Sequence, residues 1–434
     1  MRKISKISLV AAVAVAGFST ANAQPLEEAI KNVDVSGSVV YRYNNYDDNG
    51  RTPKGAQTES NNYKVGLNLS SKVNDYVKFN SRFIVGDQAS GGFASLGSKK
   101  HSGTDAQADV SLSNAYFGFT AIPNTVVNVG KQGLTTPYTV AVDINGNEQT
   151  GTGILALTTV GPVTAGAGYF NATNLDKSAE LNATGGYGIS ATNAKTTTIV
   201  DPLTGLTTVT SRDSTFDGGL DMYVATIQGD LDFVKLEAWY AGMQNTFNSY
   251  TLAATSTLDL AENAKLGLEA RYVQLNLDNV AQTALQLDSD KNSMFRFAVD
   301  GKFSIVNARL AYTMTDKKGG LTALDQDAKN TSLGWFLSPN GIANADYYQA
   351  ALGADILDNL NFTLNYGNLK SKDTNTVVLA DDIKAQEVYG QLTYKMSKNL
   401  TTYLRYGQVE AKENSSGDKW LDQNAGRLQV AYTF

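Results

Sequence analysis

Cysteine is absent from the 434-residue chain, which excludes disulfide scaffolds, zinc-cysteine centres and thiol catalysis. Histidine is nearly absent too. The single one, His101, sits between Lys100 and Ser102 in a polar stretch and has no triad or metal partner, so it reads as a neutral surface residue. Runs of basic residues are missing, which argues against a nucleic-acid partner. Glycine-rich pieces such as Gly91-Gly92 and Gly319-Gly320 lack the strand-to-helix context of a phosphate loop and read as flexible connections. Long apolar runs are also lacking. The longest, Ile7 to Phe18, falls well short of the roughly 20 residues a bilayer-spanning helix requires. It follows Met1-Arg2-Lys3-Ile4-Ser5-Lys6 and precedes Ala21-Asn22-Ala23, the order of a secretory signal with cleavage after Ala23. Loss of Arg2, Lys3 and Lys6 with that segment takes the formal charge from −6 to −9. The mature chain, 24–434, is then either secreted and soluble or crosses a membrane as a closed sheet.

What is present points to the second. Glycine (39) and tyrosine (22) are abundant and proline (7) is scarce, a mixture suited to many strands with one polar and one apolar face. Successive side chains of a strand point to opposite faces, and the alternation this requires recurs throughout. Tyr63, Val65, Leu67 and Leu69 interleave with Lys64, Gly66, Asn68 and Ser70; Leu266, Leu268, Ala270 and Tyr272 interleave with Lys265, Gly267, Glu269 and Arg271. Periodicity predicts strands near 33–43, 62–71, 76–86, 110–120, 125–132, 153–159, 162–171, 220–229, 233–243, 249–258, 264–275, 293–303, 307–315, 346–355, 360–367, 384–395, 399–408 and 425–434, about eighteen and an even number. Tight turns, such as Lys72 to Asp75, Gly161-Pro162 and Ser304 to Val306, alternate with long polar connections near 44–61, 87–109, 133–152, 172–219, 276–292, 316–345, 368–383 and 409–424. Only 244–248 breaks the long set. Short periplasmic turns and long external loops are the asymmetry of an outer-membrane barrel, and a soluble sandwich has no reason to keep it.

Strands of about ten residues match a tilted bilayer crossing, whereas strands of globular proteins are typically about half that. Closure then gives the polar face a location. A cation on the lipid side at mid-bilayer costs roughly 2–4 kcal/mol, so Arg42, Lys64, Lys78, Arg82, Arg271, Arg296, Arg309, Arg405 and Arg427 are expected inside with Glu237, Trp239 and Glu269. About eighteen strands enclose more room than side chains fill, which leaves a water-filled channel. The final strand alternates Gly426, Leu428, Val430, Tyr432 and Phe434 with polar and small residues and ends on an aromatic. Tyr432 and Phe434 are the candidate signal for the outer-membrane assembly machinery.

The segment Pro25-Leu26-Glu27-Glu28-Ala29-Ile30-Lys31-Asn32-Val33-Asp34-Val35-Ser36-Gly37 resembles, almost residue for residue, the mature start of the major outer membrane protein family of Campylobacter and related epsilonproteobacteria. Gly130-Lys131-Gln132 followed by Gly151-Thr152-Gly153 is similar to that family's segment around its third loop. The resemblance implies an eighteen-stranded porin, a homotrimer, that passes ions and small hydrophilic solutes, with an inward-folded constriction loop at about 133–152.

That loop carries Asp143 and Glu148, and an acidic eyelet facing Arg42, Lys64 and Arg82 would set a transverse field across the pore; solvated loop charges are the alternative. No cofactor is expected. Calcium is a lesser possibility where Asp143 meets Glu237 or Glu269, since hard cations need several oxygens. Inward Trp239, Tyr389 and Tyr403 could stack sugars, though ordinary pore lining is the simpler reading. Lys131 falls on the outward parity near the external rim. The rival functions are a surface adhesin or structural barrel with a closed lumen, and a substrate-specific channel. An enzyme barrel needs a histidine-assisted nucleophile or acid pair that His101 does not supply.

Overall fold

The computed structural model describes residues 33–48, 56–87, 91–96, 108–175, 195–200, 207–213, 218–279, 281–282, 289–372, 383–413, 417 and 419–434. The expected signal segment, the residues expected to begin the mature chain and His101 lie outside them.

Alternation of face along each segment lets every strand bury its backbone polar groups against two neighbours and present one side-chain row to each medium. The result is a closed antiparallel barrel of 18 strands. In chain order these are β1 (Val33–Asp48), β2 (Ala56–Asn74), β3 (Val77–Gly86), β4 (Asp109–Phe119), β5 (Thr125–Gly133), β6 (Thr150–Val160), β7 (Val163–Thr173), β8 (Met222–Leu231), β9 (Val234–Met243), β10 (Phe247–Ala261), β11 (Ala264–Leu277), β12 (Lys291–Phe303), β13 (Val306–Thr315), β14 (Ala345–Leu357), β15 (Leu360–Ser371), β16 (Ile383–Lys395), β17 (Leu400–Glu413) and β18 (Lys419–Thr433). Each pairs with its sequence neighbours, and β18 closes the cylinder on β1 from Ser38 opposite Thr433 to Asp48 opposite Gln423. Every strand expected from periodicity is present, and many run further at their external ends. The loop expected over 44–61 is therefore only 49–55, and that over 409–424 only 414–418. The two short strands Lys195–Val200 and Thr207–Asp213 form a separate hairpin in the connection between β7 and β8.

The tight turns lie at one rim, as the loop asymmetry requires. Asn124, Asp232 and Ser304 take up left-handed backbone there, with φ of 56°, 60° and 52°, a conformation that short polar side chains tolerate better than most. The same rim carries exposed Tyr76, Ile122, Phe233, Phe303, Ile305 and Leu357, an apolar and aromatic belt suited to an interface. On the lipid face, aromatic partners sit directly across strand pairs: Phe79 and Phe117 at 5.2 Å, Tyr169 and Tyr223 at 5.3 Å, Tyr240 and Tyr250 at 5.4 Å, Tyr312 and Tyr348 at 4.8 Å between ring centroids. Each such pair adds about 0.2–1 kcal/mol and locks register, because a one-residue slip would exchange the two faces.

The C-terminus is tied into the seam. Phe434 and Gly37 exchange backbone hydrogen bonds of 2.9 and 3.1 Å, and the Phe434 ring stacks near Tyr432 at 5.8 Å. A Cβ on Gly37 would stand 2.3 Å from the Gly66 carbonyl oxygen and 2.8 Å from that ring, so glycine lets both β2 and the terminal aromatic lie close against β1.

Inside, the sequence expectation of a polar wall holds only in part. Near its external end the interior holds an apolar cluster: Met222, Val273, Leu275 and Met294 on the wall pack with Leu134, Tyr138, Leu321 and Leu324 from two connections that turn into the barrel. A second cluster joins Trp335, Phe336, Leu337 and Ile342 to Tyr347, Leu369, Val409 and Leu421. Burying side chains of this size contributes about 1.5–3 kcal/mol each, enough to fold long segments inward. Those segments are residues 134–149, the third external loop (L3), and 316–344, the seventh (L7).

Candidate constriction and lumen

L3 is the loop that the resemblance implied, but its acids do not face a basic wall across water. Arg42 on β1, Lys64 on β2 and Arg82 on β3 point inward, and the loop descends onto all three. Arg82 grips Glu148 through Nε and Nη2, both at 2.9 Å, while Lys64 Nζ donates to Glu148 Oε1 at 2.6 Å and also to the Gly146 carbonyl. Ser113 Oγ adds a fourth bond at 2.8 Å. Lys64 and Glu148 are each 5% exposed. The eyelet expectation is thereby corrected: Glu148, Lys64 and Arg82 form a buried cluster that fixes the loop instead of opposing one another over the pore, because direct contact removes the cost of isolated charges in a poorly solvated place. Burial alone would raise the Glu148 carboxyl, but Arg82 and Lys64 outweigh it and hold the group below its ordinary value of 4.5.

Asp143 is buried as well. Its carboxylate accepts from the Asn147 backbone N–H and side-chain amide, both at 2.7 Å, and so shapes the loop tip. Gly146 beside it has φ of 84°, and a Cβ there would stand 2.7 Å from the Phe93 ring. Arg42 completes the anchorage: Nη2 donates to the Ile144 carbonyl at 3.0 Å, Nε donates to Gln429 at 2.8 Å, and the guanidinium lies over Phe93 at 4.1 Å.

L7 was read from sequence as an ordinary external loop, and its inward course is the main departure inside the barrel. Arg271 donates to Asn330 at 3.4 Å and Arg296 to the Thr331 carbonyl. Asn340 accepts from the Thr322 and Ala323 backbone at 3.0 and 3.1 Å. Glu387 on β16, which sequence reasoning missed, is 2% exposed and accepts from the backbone N–H groups of Trp335 (3.2 Å) and Phe336 (2.8 Å) and from the Tyr347 hydroxyl (3.2 Å). Its inward parity with Tyr389 was readable; its partners were not. The two loops interlock. Ile144 N–H donates to Asp327 at 2.8 Å, Asn330 N–H to the Pro137 carbonyl at 2.8 Å, Leu324 N–H to the Tyr138 carbonyl at 2.8 Å, and Gln149 to Asp325.

The remaining candidate residues fall into two sectors. Over β9 to β13 the charges are mixed: Glu269 binds Arg296 at 2.5 Å and Arg271 at 3.1 Å, Glu237 meets Arg271 at 3.7 Å and Lys329 at 3.6 Å, and Arg309 pairs with Asp300 at 2.6 Å. Arg271 and Arg296 are buried beneath L7 and so brace it rather than line open water. Among the described residues no group of three or more acids or histidines could hold a metal ion, and Glu237 and Glu269 are taken up by cations instead of meeting Asp143. On the inner faces of β1, β17 and β18 three arginines, Arg42, Arg405 and Arg427, gather. Arg405 and Arg427 are direct cross-strand partners, Arg427 faces Asn44, and Arg42 faces Gln429; among the described residues no carboxylate comes within ion-pair reach of the three. Like charges placed opposite one another are unfavourable. Arg405 is compensated by the faces of Trp335, Tyr389 and Tyr403 at 5.1, 5.2 and 5.4 Å, and Arg427 by Asn44 at 2.7 Å and Tyr46 at 3.3 Å. Tyr389 and Tyr403 thus cradle an arginine and are not a sugar track. Lys78 is exposed near the periplasmic turn. Lys131 lies on the outer parity, with Nζ on the Leu112 carbonyl at 2.9 Å.

A space of about 350 Å³ remains between Ile144 of L3, residues 327–334 of L7 and wall residues including Arg296, Arg309 and Gln349. A closed barrel with a charged interior narrowed by inward loops defines an outer-membrane porin, a passive channel. The chain belongs to the Campylobacter major outer membrane protein family, whose model matches residues 1–434. The same fold occurs in solved structures of Pseudomonas aeruginosa OpdL (TM-score 0.68, 15% identity, covering 93% of this chain and 99% of that one), Acinetobacter baumannii OccAB2 (0.63, 15%, 92% and 98%) and P. aeruginosa OpdK with vanillate (0.65, 13%, 92% and 98%). Among curated proteins no sequence matches.

Proposed function

We propose that the mature chain, released after Ala23, assembles as a homotrimer with the help of the outer-membrane assembly machinery and conducts ions and small hydrophilic solutes through a constriction built jointly by L3 and L7, without catalysing a reaction. The observation that carries this reading is the interlocking of two loops inside a closed eighteen-strand wall, beside arginines that have no acid partner among the described residues. Half-buried Arg405, with Arg42 and Arg427 buried beside it, biases the path electrostatically; Arg42, Lys64, Arg82 and Glu148 hold L3 in place. Purified protein in a planar bilayer is expected to give stepwise channels, and a persistently silent bilayer would favour an adhesin with a closed lumen.

A narrower reading follows from the arginine sector. Solutes bearing a carboxylate would dock transiently on Arg405, with Arg427 adding positive charge behind it, in keeping with the vanillate and glucuronate that accompany two similarly folded P. aeruginosa proteins, OpdK and OccK2. Millimolar vanillate added to one side should produce brief blockages that uncharged vanillyl alcohol does not. Equal blockage by both compounds would sink the carboxylate preference and leave the general pore standing.

A further inference from the structure

A second space lies away from the arginine sector. A cavity of about 110 Å³ sits between the root of L3 and the inner faces of β4 to β9; one ordered water takes roughly 10–15 Å³ of such space, so the cavity has room for a small ring. Its apolar walls are Leu134, Leu155, Leu157, Phe170 and Val224, and no Asp, Glu, Lys or Arg lines it. Gly166 keeps one wall open, since a Cβ there would stand 2.2 Å from Leu157 Cδ2. Three polar atoms belonging to its lining residues make no hydrogen bond within the protein: Asn128 Oδ1, Gln132 Nε2 and Trp239 Nε1. Asn128 and Gln132 are each only 3% exposed. Buried amides and indoles left without partners are uncommon and costly, and here all three belong to residues that line one cavity.

We propose that this cavity binds one small, uncharged, planar molecule carrying both a hydrogen-bond donor and an acceptor, in the manner of a primary aromatic amide, and that the occupant braces the root of L3. The absence of a charged lining residue excludes ionised solutes, whose desolvation nothing would offset. The apolar walls select a flat ring, and each side-chain amide supplies one donor and one acceptor group whichever way it is turned. Leu134, Thr135 and Thr136 belong both to the lining and to L3, so occupancy would steady the loop from behind.

The probe is benzamide, with benzoate as the charged control. In a Trp335→Phe/Trp420→Phe chain Trp239 is the sole indole, and benzamide is expected to change its emission saturably at one molecule per chain while benzoate does not. Gln132→Met is expected to weaken binding about fivefold without lowering the thermal midpoint, since it removes an amide that has no partner in the protein. Should the double variant fail to fold, titration calorimetry on the unaltered chain gives the same test. No saturable response up to the solubility limit, equal binding of benzoate, or unchanged affinity in Gln132→Met would each overturn the proposal and make the cavity a pocket for water. The emission is read in detergent micelles, so the outcome does not depend on ion conduction.

Discussion

Glu148 shows what a single side chain does in this lumen. Held between Lys64 and Arg82, it converts two inward cations into a clasp for L3. Glu148→Gln leaves both cations buried without a full counter-charge, a loss of about 3–5 kcal/mol at the clasp; single-channel records should show larger and noisier currents while the barrel still migrates as a folded band. Acid should do the same to the unaltered protein. The folded-state carboxyl lies below its ordinary 4.5, so the clasp's contribution is complete above that value and disappears as pH falls through the lower folded value. Conductance noise should therefore rise only below about pH 4.5 and not between pH 5 and 8. The arginine sector makes a separate demand. Replacing Arg405 and Arg427 with Gln removes two positive charges that make no ion pair with a described carboxylate, and the reversal potential in asymmetric KCl should move toward cation preference. The parity of Arg42, Lys64, Arg82, Arg405 and Arg427 was legible as period-two alternation; that the first three meet a loop while Arg405 and Arg427 meet each other was not, because register and loop descent decide it.

L7 is where element-level reading fell short. A connection of that length and polarity passes for an external loop, and L3 was placed inside by resemblance rather than by its own composition. A signal did exist: Leu321, Leu324, Trp335, Phe336 and Leu337 are more greasy residues than a solvated loop needs, and inward positions such as Val273, Leu275 and Val409 offered them a wall. Replacing residues 321–342 with a short Gly-Ser bridge should roughly double the conductance, and because L3 leans on Asp327 and Asn330 the remaining current should also fluctuate more. An unchanged current would mean that L3 alone sets the narrowest point. The strands themselves were easier, since lipid enforces alternation on every one of them. Their external ends were cut short because beyond the bilayer the outer face turns polar, as at Asn45 and Asp47, and the pattern fades while the hydrogen-bonded ladder continues.

For the whole molecule, closure depends on one seam. β18 meets β1 along its length, and the last residue reaches Gly37 by a two-way backbone exchange. Gly37→Leu would drive a side chain into both the Gly66 carbonyl on β2 and the Phe434 ring, and the expected result is a lower yield of the heat-modifiable folded form in outer membranes, with unfolded chain accumulating instead. A normal yield would show that the close packing at Gly37 is dispensable for assembly.

The longest strand, β2, has 19 residues, a ladder of roughly 60 Å at about 3.3 Å per residue. Tilted by about 40°, it rises roughly 45 Å, well beyond an apolar band about 25 Å tall. Much of that surplus is the extension of β1 and β2 toward residues 49–55, so part of the rim is a stiff collar standing clear of the headgroups. An epitope grafted into that short hairpin would be carried away from the lipid on rigid sheet, and its reach from the cell should vary little with the flexibility of the graft.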